Sequence, residues 1–335
     1  MAKDFPYEMR PFNTEENEQL KECIQVSSKY YRVGPKGYVV SKGYTDDAAE
    51  IYNFLLRPDD VFVVSFPKSG TTWTQELVWL ILNGLDYEKA KSIPLTERSP
   101  FLELLGFMDA EDMSMEDRNP LEKTFMPLSI KQLNELPSQR ILKSHLPLSL
   151  LPPTLLDNTK VVYIARDPRD VAVSYYYHYK LMRFTSPERD FKSFWKQFIN
   201  NNLTWSPYFA SFLEAFEKRD HPNMLFLFYE ELSKDLSAVI RKVADFFNKK
   251  LSDEQIEGLR EHLKIDNFKK NRSVNLQDLQ DKGIFRSEGG FIRKGKVGGW
   301  RDYFDEEMTA EAGKWINENL KGTEFRFHHF CHRKI

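Results

Sequence analysis

The chain has 335 residues and a formal net charge of −2, with 41% hydrophobic and 29% charged residues. This length permits one large or two ordinary domains, and the composition is that of a globular chain that buries a core. Because a balanced charge gives no field that would hold a polyanion, the composition argues against a nucleic-acid-binding protein.

The N-terminal segment, residues 1–20, lacks the apolar stretch that a signal peptide requires. The longest apolar runs, residues 61–64 and 77–82, are far too short to span a bilayer. The two cysteines, Cys23 and Cys331, show no disulfide or metal-binding spacing, which fits a reducing compartment. We therefore expect a cytoplasmic protein without a membrane anchor, in which residues 1–35 are peripheral.

The first strong element is a β-branched and aromatic run at residues 61–64, which predicts a buried strand. Pro67 and Gly70 end the strand. Residues 72–82 then have the pattern of a helix, and Asn83 and Gly84 form its stop signal.

The next segment, residues 85–135, is weakly patterned and contains four prolines and apolar patches such as residues 101–105. It could be a long surface insertion. It could equally be a lid or an acceptor-binding segment, since long loops in compact domains are often functional. The sequence leaves both interpretations open.

Two further strong strands follow, at residues 161–164 and 224–228, and residues 140–143 have the composition of a short strand. A helix is predicted at residues 169–182, and an amphipathic helix follows the last strand and carries apolar residues up to Phe247. Strands separated by helices predict a single α/β domain with a central parallel sheet flanked by helices. In such sheets ligands bind at the carboxyl ends of the strands.

Residues 65–73, with the sequence SFPKSGTTW, join a buried strand to a helix through a tight turn. Free N–H groups at a helix start bind phosphate, Lys68 adds a positive charge, and Ser69, Thr71 and Thr72 add hydroxyl groups. The loop is P-loop-like, but its lysine precedes the glycine and the first P-loop glycine is missing, which argues against an ordinary ATPase or GTPase. The alternative is a capped helix with a solvated lysine.

Four motifs in this order resemble those of the cytosolic sulfotransferase family, and the resemblance covers residues 38–304. They are PKSGTTW at residues 67–73, KSHLP at 143–147, RDPRDVAVS at 166–174 and RKGKVGGW at 293–300. The resemblance implies transfer of a sulfonate group from 3′-phosphoadenosine 5′-phosphosulfate (PAPS) to the hydroxyl of a small apolar acceptor. The acceptor would be a phenol, alcohol, steroid or retinoid, and PAP would be the product. Family members act in xenobiotic or hormone metabolism, and no metal or membrane is implied.

The resemblance gives three residues catalytic roles. Lys68 would donate to the bridging oxygen of the leaving group, and Lys143 would contact the sulfonate from the acceptor side, by analogy with phosphoryl transfer. His145 would be the general base, because histidine has the pKa closest to neutral. An isolated histidine near a strand end is commonly structural, and the motif match favours catalysis.

The resemblance also assigns a nucleotide site. The 5′-phosphosulfate would lie on residues 68–72 and the 3′-phosphate on Arg166, Ser174 and residues 293–295, while the adenine would be stacked by aromatic residues. Asp266 stands where family members commonly carry threonine, and it could accept from the adenine amino group or face solvent. The assigned residues are Lys68, Ser69, Gly70, Thr71, Thr72, Trp73, Arg166, Ser174, Tyr229, Asp266, Phe268, Phe291, Arg293, Lys294 and Gly295.

Within the family the chain is similar to the insect branch that includes retinol dehydratase, through residues 34–38, 146–153 and 300–309. That enzyme departs from PKSGTTW at its lysine and tryptophan, whereas this chain keeps Lys68 and Trp73. We therefore expect an ordinary product-releasing sulfotransferase, with a dehydratase-type reaction through a sulfonated intermediate as the alternative. The family's dimer motif lacks its Thr-Val pair in residues 301–307, so the oligomeric state stays open.

Two further classes compete with this interpretation. A nucleotide kinase or NTPase would need a Mg²⁺-binding acid, and the only near candidate, Asp167, adjoins Arg166, which indicates an anion site instead. A catalytically idle scaffold is disfavoured because Lys68, Lys143 and His145 are all present.

Overall fold

The computed structural model describes residues 4–21, 29–107, 127–182 and 190–325, so Cys23 and Cys331 lie outside the described residues. Within these ranges the strands are β1 (Met9–Pro11), β2 (Tyr30–Val33), β3 (Tyr38–Ser41), β4 (Val61–Val64), β5 (Ile141–Ser144), β6 (Lys160–Ala165) and β7 (Met224–Phe228). The helices are α1 (Thr14–Lys21), α2 (Lys42–Tyr52), α3 (Thr71–Leu82), α4 (Tyr87–Ser92), α5 (Leu95–Arg98), α6 (Leu104–Phe107), α7 (Ile130–Glu135), α8 (Leu155–Asn158), α9 (Pro168–Leu181), α10 (Phe191–Ile199), α11 (Tyr208–Glu217), α12 (Tyr229–Lys234), α13 (Leu236–Phe246), α14 (Asp253–Leu263), α15 (Ile265–Lys270), α16 (Gln277–Asp281) and α17 (Glu306–Asn319). Short 3₁₀ turns occur at Leu148–Leu150 and Gly299–Asp302.

The central sheet has the strand order β5-β4-β6-β7, and all neighbouring strands are parallel. Its strands are short apolar runs buried on both faces, as is usual where helices cover a parallel sheet. The predicted α/β domain with a central parallel sheet and flanking helices is confirmed.

The two faces of the sheet belong to two separate hydrophobic clusters, because alternate side chains of a strand point to opposite faces. Val61 and Val63 pack with apolar residues of α3, α13 and α14. Phe62 and Val64 pack with apolar residues of α2, α9, α10 and α11. This two-sided core fixes the carboxyl edge of the sheet, where the polar motif residues lie.

A second, antiparallel sheet, β1-β2-β3, was not expected from the sequence. The Val39 N–H donates to the Ser206 carbonyl at 2.8 Å, and the Trp205 N–H donates to the Val39 carbonyl at 2.8 Å. The Tyr38 hydroxyl donates to Glu214 on α11 at 2.6 Å. The N-terminal sheet is therefore docked against the body of the domain.

The segment 85–135 is described at residues 85–107 and 127–135, where it forms α4 to α7. The Lys143 N–H donates to the Pro100 carbonyl at 2.8 Å, and the Leu102 N–H donates to the Lys143 carbonyl at 2.9 Å. Residues 100–102 thus extend along the outer edge of β5. These bonds bring part of the segment to the carboxyl edge of the sheet.

None of the described helices combines the length and apolar character needed to cross a membrane.

Candidate active site

A cavity of about 550 Å³ opens at the carboxyl edge of the central sheet. His145, Arg166 and Tyr229 are the residues directly after β5, β6 and β7, and all three line it. Since parallel strands end at the same edge, three of the four motifs converge here, and the fourth, at residues 293–300, reaches the cavity from a loop. The predicted site residues that line the cavity are Lys68, Gly70, Thr71, Thr72, Trp73, Lys143, His145, Arg166, Ser174, Tyr229, Phe268, Phe291, Arg293, Lys294 and Gly295.

The structure places two predicted nucleotide residues elsewhere. Ser69 is buried beneath the loop, where its Oγ has no hydrogen-bond partner. Asp266 is exposed on the first turn of α15 and does not line the cavity, whereas the preceding residue, Ile265, does. The geometry therefore favours the solvent-facing alternative for Asp266.

The loop between β4 and α3 depends on a glycine. Gly70 has φ +114°, and a Cβ there would lie 2.7 Å from the Tyr229 ring and 3.0 Å from Ile164. A side chain at this position would therefore collide with the wall of the cavity. The first backbone N–H groups of α3 follow directly, and such groups have no partner within their own helix. The turn thus offers the N–H donors that an anion requires.

Six basic side chains line the cavity, and two of them, Lys294 and Lys296, pair with Asp302. The other four are Lys68, Lys143, Arg166 and Arg293. Burial and the neighbouring charges, Lys143 first, lower the pKa of Lys68 to about 7. Burial lowers the pKa of Lys143 to about 8. Among the described residues, none of the four forms an ion pair with an acid. Such a cluster fits an anionic ligand, whose charge would offset the mutual repulsion.

Arg166 joins the loop after β4 to the glycine-rich segment. Its guanidinium donates to the carbonyls of Lys68 at 3.3 Å and Lys296 at 3.0 Å, and it lies over the Tyr229 ring at 4.1 Å. The Arg166 Nε is buried and has no hydrogen-bond partner. An oxyanion could supply that partner.

The glycine-rich segment is held by Asp170 of α9, which accepts from the N–H groups of Gly298 at 2.6 Å and Trp300 at 2.8 Å. Gly295 has φ +65°, and a Cβ there would lie 2.5 Å from Ile265. Asp170 thus fixes the segment against α9, and the close approach to Ile265 of α15 requires a glycine at position 295.

Two tyrosines position Arg293 of this segment. Its guanidinium donates to the Tyr303 hydroxyl at 2.9 Å and lies over the Tyr177 ring at 4.4 Å. Neither tyrosine was predicted from the sequence. The sequence does not indicate their contacts with Arg293, because these contacts depend on packing between α9 and the segment after residue 300.

An aromatic group borders the same end of the cavity. The Trp73 indole N–H donates to the Leu263 carbonyl at 2.9 Å, and the ring centroids of Trp73 and Tyr229 are 5.6 Å apart. Phe268 is buried beside them. Phe291 lies under the Lys68 ammonium, which is 3.9 Å from its ring centroid. Flat rings in this arrangement could accommodate a heterocycle.

His145 is buried at the end of β5 with its Nδ1 2.7 Å from the Ser65 carbonyl oxygen. Because a carbonyl only accepts, Nδ1 carries the proton and Nε2 keeps its lone pair. Burial and the nearby Lys143 hold the pKa of His145 well below its usual value. The imidazole is therefore neutral and oriented to accept a proton at Nε2.

Glu103, which the sequence analysis did not single out, lies beside the catalytic candidates. It is buried and accepts from the His145 backbone N–H at 2.6 Å, while its Oε2 has no partner. Burial raises its pKa to about 7. In the sequence, the only indication that Glu103 is buried is that leucines stand on both sides of it.

The other end of the cavity is mainly aromatic and apolar. Phe101 lies with its ring centroid 4.1 Å from the Lys143 ammonium and 5.0 Å from the centroid of His145, and Trp205 lies 5.4 Å from His145. Tyr175 and Tyr179, which also line the cavity, hydrogen-bond Thr204, the neighbour of Trp205 in sequence. We call this the aromatic end, and the end with Lys68, Arg166 and Arg293 the cationic end.

The model of the Sulfotransferase domain family matches residues 58–324. The chain belongs to the sulfotransferase family. It is 36% identical over 305 residues to luciferin sulfotransferase from Photinus pyralis, covering 89% of this chain and 81% of that protein. Two crystal structures of retinol dehydratase match with a TM-score of 0.91. One, in complex with androsterone and the inactive cofactor PAP, is 46% identical and covers 97% of this chain and 99% of that chain. The other, in complex with retinol and PAP, is 47% identical and covers 96% and 99%.

These findings confirm the predicted family, and this sulfotransferase uses PAPS as its co-substrate. An NTPase and a catalytically idle scaffold are thereby disfavoured. In the part of the chain that the structure describes, no group of three histidine, cysteine or acidic residues is arranged to hold a metal ion. The individual site residues and the cytoplasmic location stay predictions.

Proposed function

We propose that this sulfotransferase moves a sulfonate group from PAPS to the hydroxyl of a small apolar acceptor and releases the sulfate ester. The observation that carries the proposal is the position of neutral His145 between the cationic and aromatic ends of one cavity. The cationic end suits an anionic nucleotide, and the aromatic end suits a flat apolar acceptor.

The nucleotide would occupy the cationic end, which it would contact through two anionic groups. The turn at residues 68–72 offers helix N–H groups and Lys68 for the 5′-phosphosulfate. Arg166, Ser174 and residues 293–295 form the second group of donors, for the 3′-phosphate. Ordering of Arg293 by its two tyrosine neighbours supports this assignment, because a preorganised guanidinium loses less entropy on binding.

PAPS supplies the sulfonate and a phosphate leaving group when it is bound. Lys68 would stabilise the negative charge that builds on the leaving oxygen, and Lys143 would stabilise the sulfonate from the side of the acceptor. Burial lowers the pKa values of both ammonium groups, so an anion placed beside them favours their charged forms.

His145 would take the proton of the acceptor hydroxyl as that oxygen attacks sulfur. The Ser65 carbonyl holds the proton on Nδ1 and so leaves Nε2 free to act as the base. Glu103 fixes the backbone at this residue through the His145 N–H. The imidazole therefore needs no reorientation before the transfer.

A dehydratase-type reaction is the second candidate, and the similarity to two retinol dehydratase structures favours considering it. Elimination requires a sulfonated intermediate that stays in the site until a proton leaves. Lys68 and Trp73 match the ordinary sulfotransferase motif, and these residues lie in the loop that would touch the reacting group. We therefore propose stable sulfate esters as the products.

Mass spectrometry of the products tests this proposal, with labelled PAPS and a panel of phenols, steroids, retinoids and fatty alcohols. We expect labelled sulfate esters from at least one hydroxylated acceptor, and full activity in EDTA. Mainly anhydroretinol from retinol, with no ester from any simple phenol, would establish the dehydratase reaction instead. A strict need for a divalent ion would contradict the mechanism.

A further inference from the structure

A second histidine lies in the wall of the cavity and has no part in the mechanism above. His178 is half-buried in the last turn of α9, and its side chain lines the same cavity as Lys68, Lys143 and His145. Its Nδ1 is buried and has no hydrogen-bond partner. A polar group in this state is costly unless a ligand gives it a partner.

The surroundings of His178 are aromatic. Its ring meets Phe291 at a centroid distance of 5.6 Å and Phe285 at 6.2 Å, both edge to face, and is nearly parallel to Tyr175 at 6.4 Å. The neighbouring tyrosine hydroxyls are already satisfied, since Tyr175 donates to the Thr204 carbonyl and Tyr179 to the Thr204 hydroxyl. His178 forms no hydrogen bond with a described residue, so this wall carries one polar ring among satisfied or apolar neighbours.

A structural role as a charged helix cap does not fit His178. Protonated histidine is stabilised in the last turn of a helix. Here burial, followed by the charges of Lys68 and Lys143, holds the pKa of His178 well below its usual value. The ring is therefore neutral and offers one donor and one acceptor nitrogen. It is also close enough to both lysines for their charges to lower its pKa.

We propose that His178 is a specificity-determining residue that hydrogen-bonds a second polar group of the acceptor, such as a further hydroxyl or a carbonyl near the reacting hydroxyl. This inference rests on the proposed function. A site that holds an unsatisfied polar group discriminates against ligands that cannot pair with it. The preferred acceptors would then be compact hydroxylated rings with two polar substituents rather than one.

Kinetics with matched acceptors tests this. The wild-type enzyme and His178→Phe are compared on phenol and on its 2-, 3- and 4-hydroxy derivatives, with the two-ring naphthols and naphthalenediols as a second series. We expect wild type to prefer at least one diol over its parent by about 10- to 100-fold in kcat/KM. In His178→Phe that preference should fall to within about 3-fold, through a loss on the diol alone.

The controls separate folding from recognition. PAP affinity, measured by calorimetry, should be unchanged in His178→Phe, and His178→Leu repeats the test with a smaller side chain. His221→Phe is the matched control, because His221 does not line the cavity and should leave the preference intact.

The inference is overturned if the wild-type enzyme prefers no diol, or if His178→Phe and His178→Leu both keep the wild-type preference. Those results leave the proposed function standing, because phenols are still sulfonated. If no hydroxylated acceptor yields an ester with wild type, the proposed function itself fails.

Discussion

The cationic and aromatic ends of the cavity are built in different ways. The cationic end is made by short contiguous motifs, two placed directly after β4 and β6 and one in the loop at residues 293–300, with glycines where the backbone turns closely. The aromatic end is assembled from Phe101, Trp205 and two tyrosines of α9, which come from separate parts of the sequence. Binding a fixed anion demands particular residues at particular spacings, whereas enclosing an apolar ligand can be achieved by many combinations of residues.

A substitution at His145, which lies between the two ends, should have the largest effect on activity. We expect His145→Ala to lower kcat by about 10² to 10⁴, because general-base catalysis is lost. PAP affinity should change little, since His145 is assigned to the acceptor proton. Steady-state kinetics and calorimetry on the same preparation measure both. A variant that kept more than about a tenth of the wild-type rate would show that another residue is the base.

At the cationic end, Arg166→Ala should weaken PAP binding by about 30-fold or more, because truncating one partner of a buried charge pair costs about 2–5 kcal/mol. The KM for the acceptor should stay near the wild-type value, since Arg166 lies away from the aromatic end. Lys282→Ala serves as the control, because Lys282 does not line the cavity. Equal weakening in both variants would place the nucleotide elsewhere.

Glu103 tests how the 95–104 segment serves catalysis. Glu103→Leu leaves the buried His145 N–H without an acceptor, and we expect kcat to fall about 10-fold. Glu103→Gln keeps an oxygen for that N–H and should stay within about 3-fold of wild type. If the two variants were equally impaired, the charge of Glu103 rather than its hydrogen bond would be the important property.

The smallest effect is a pH dependence confined to the cationic end. Burial and neighbouring cations lower the pKa of Lys68 to about 7, and a bound anion should raise it. Binding above pH 7 therefore takes up a proton, and PAP affinity should decrease as pH rises, by less than about 10-fold between pH 7 and pH 8. The phosphate itself is already ionised in this window, since its second pKa is about 6.

Calorimetry in buffers of different ionisation enthalpy measures that proton uptake directly. Lys68→Met should abolish most of it. An affinity that increased between pH 7 and pH 8 would contradict the lowered pKa of Lys68.

The same contrast explains what the sequence could predict. The strands predicted at residues 61–64 and 224–228 are confirmed, because a strand buried on both faces is apolar throughout and can be recognised as such. The helix predicted at 169–182 is Pro168–Leu181 in the structure, because Asp167 caps it and Pro168 fits its first turn. Much of the cationic end could be predicted in the same way, because two of its motifs come directly after such strands.

The aromatic end could not be predicted from the sequence, because its residues meet only through tertiary packing. Phe101 reaches Lys143 since residues 100–102 pair with the edge of β5. The strands β1 to β3 are only three or four residues long, and β3 is held to the domain by backbone hydrogen bonds between Val39 and residues 205 and 206. Glu103 and His178 stand out only once their burial and unpaired atoms are visible.

A crystal structure of the complex with PAP tests the central claim most directly. The account predicts the 5′-phosphate on the turn at residues 68–72 and the 3′-phosphate between Arg166, Ser174 and residues 293–295, with the aromatic end left open for the acceptor beside His145. Phosphates bound outside these two groups of donors, or an adenine lying against Phe101 and Trp205, would contradict it.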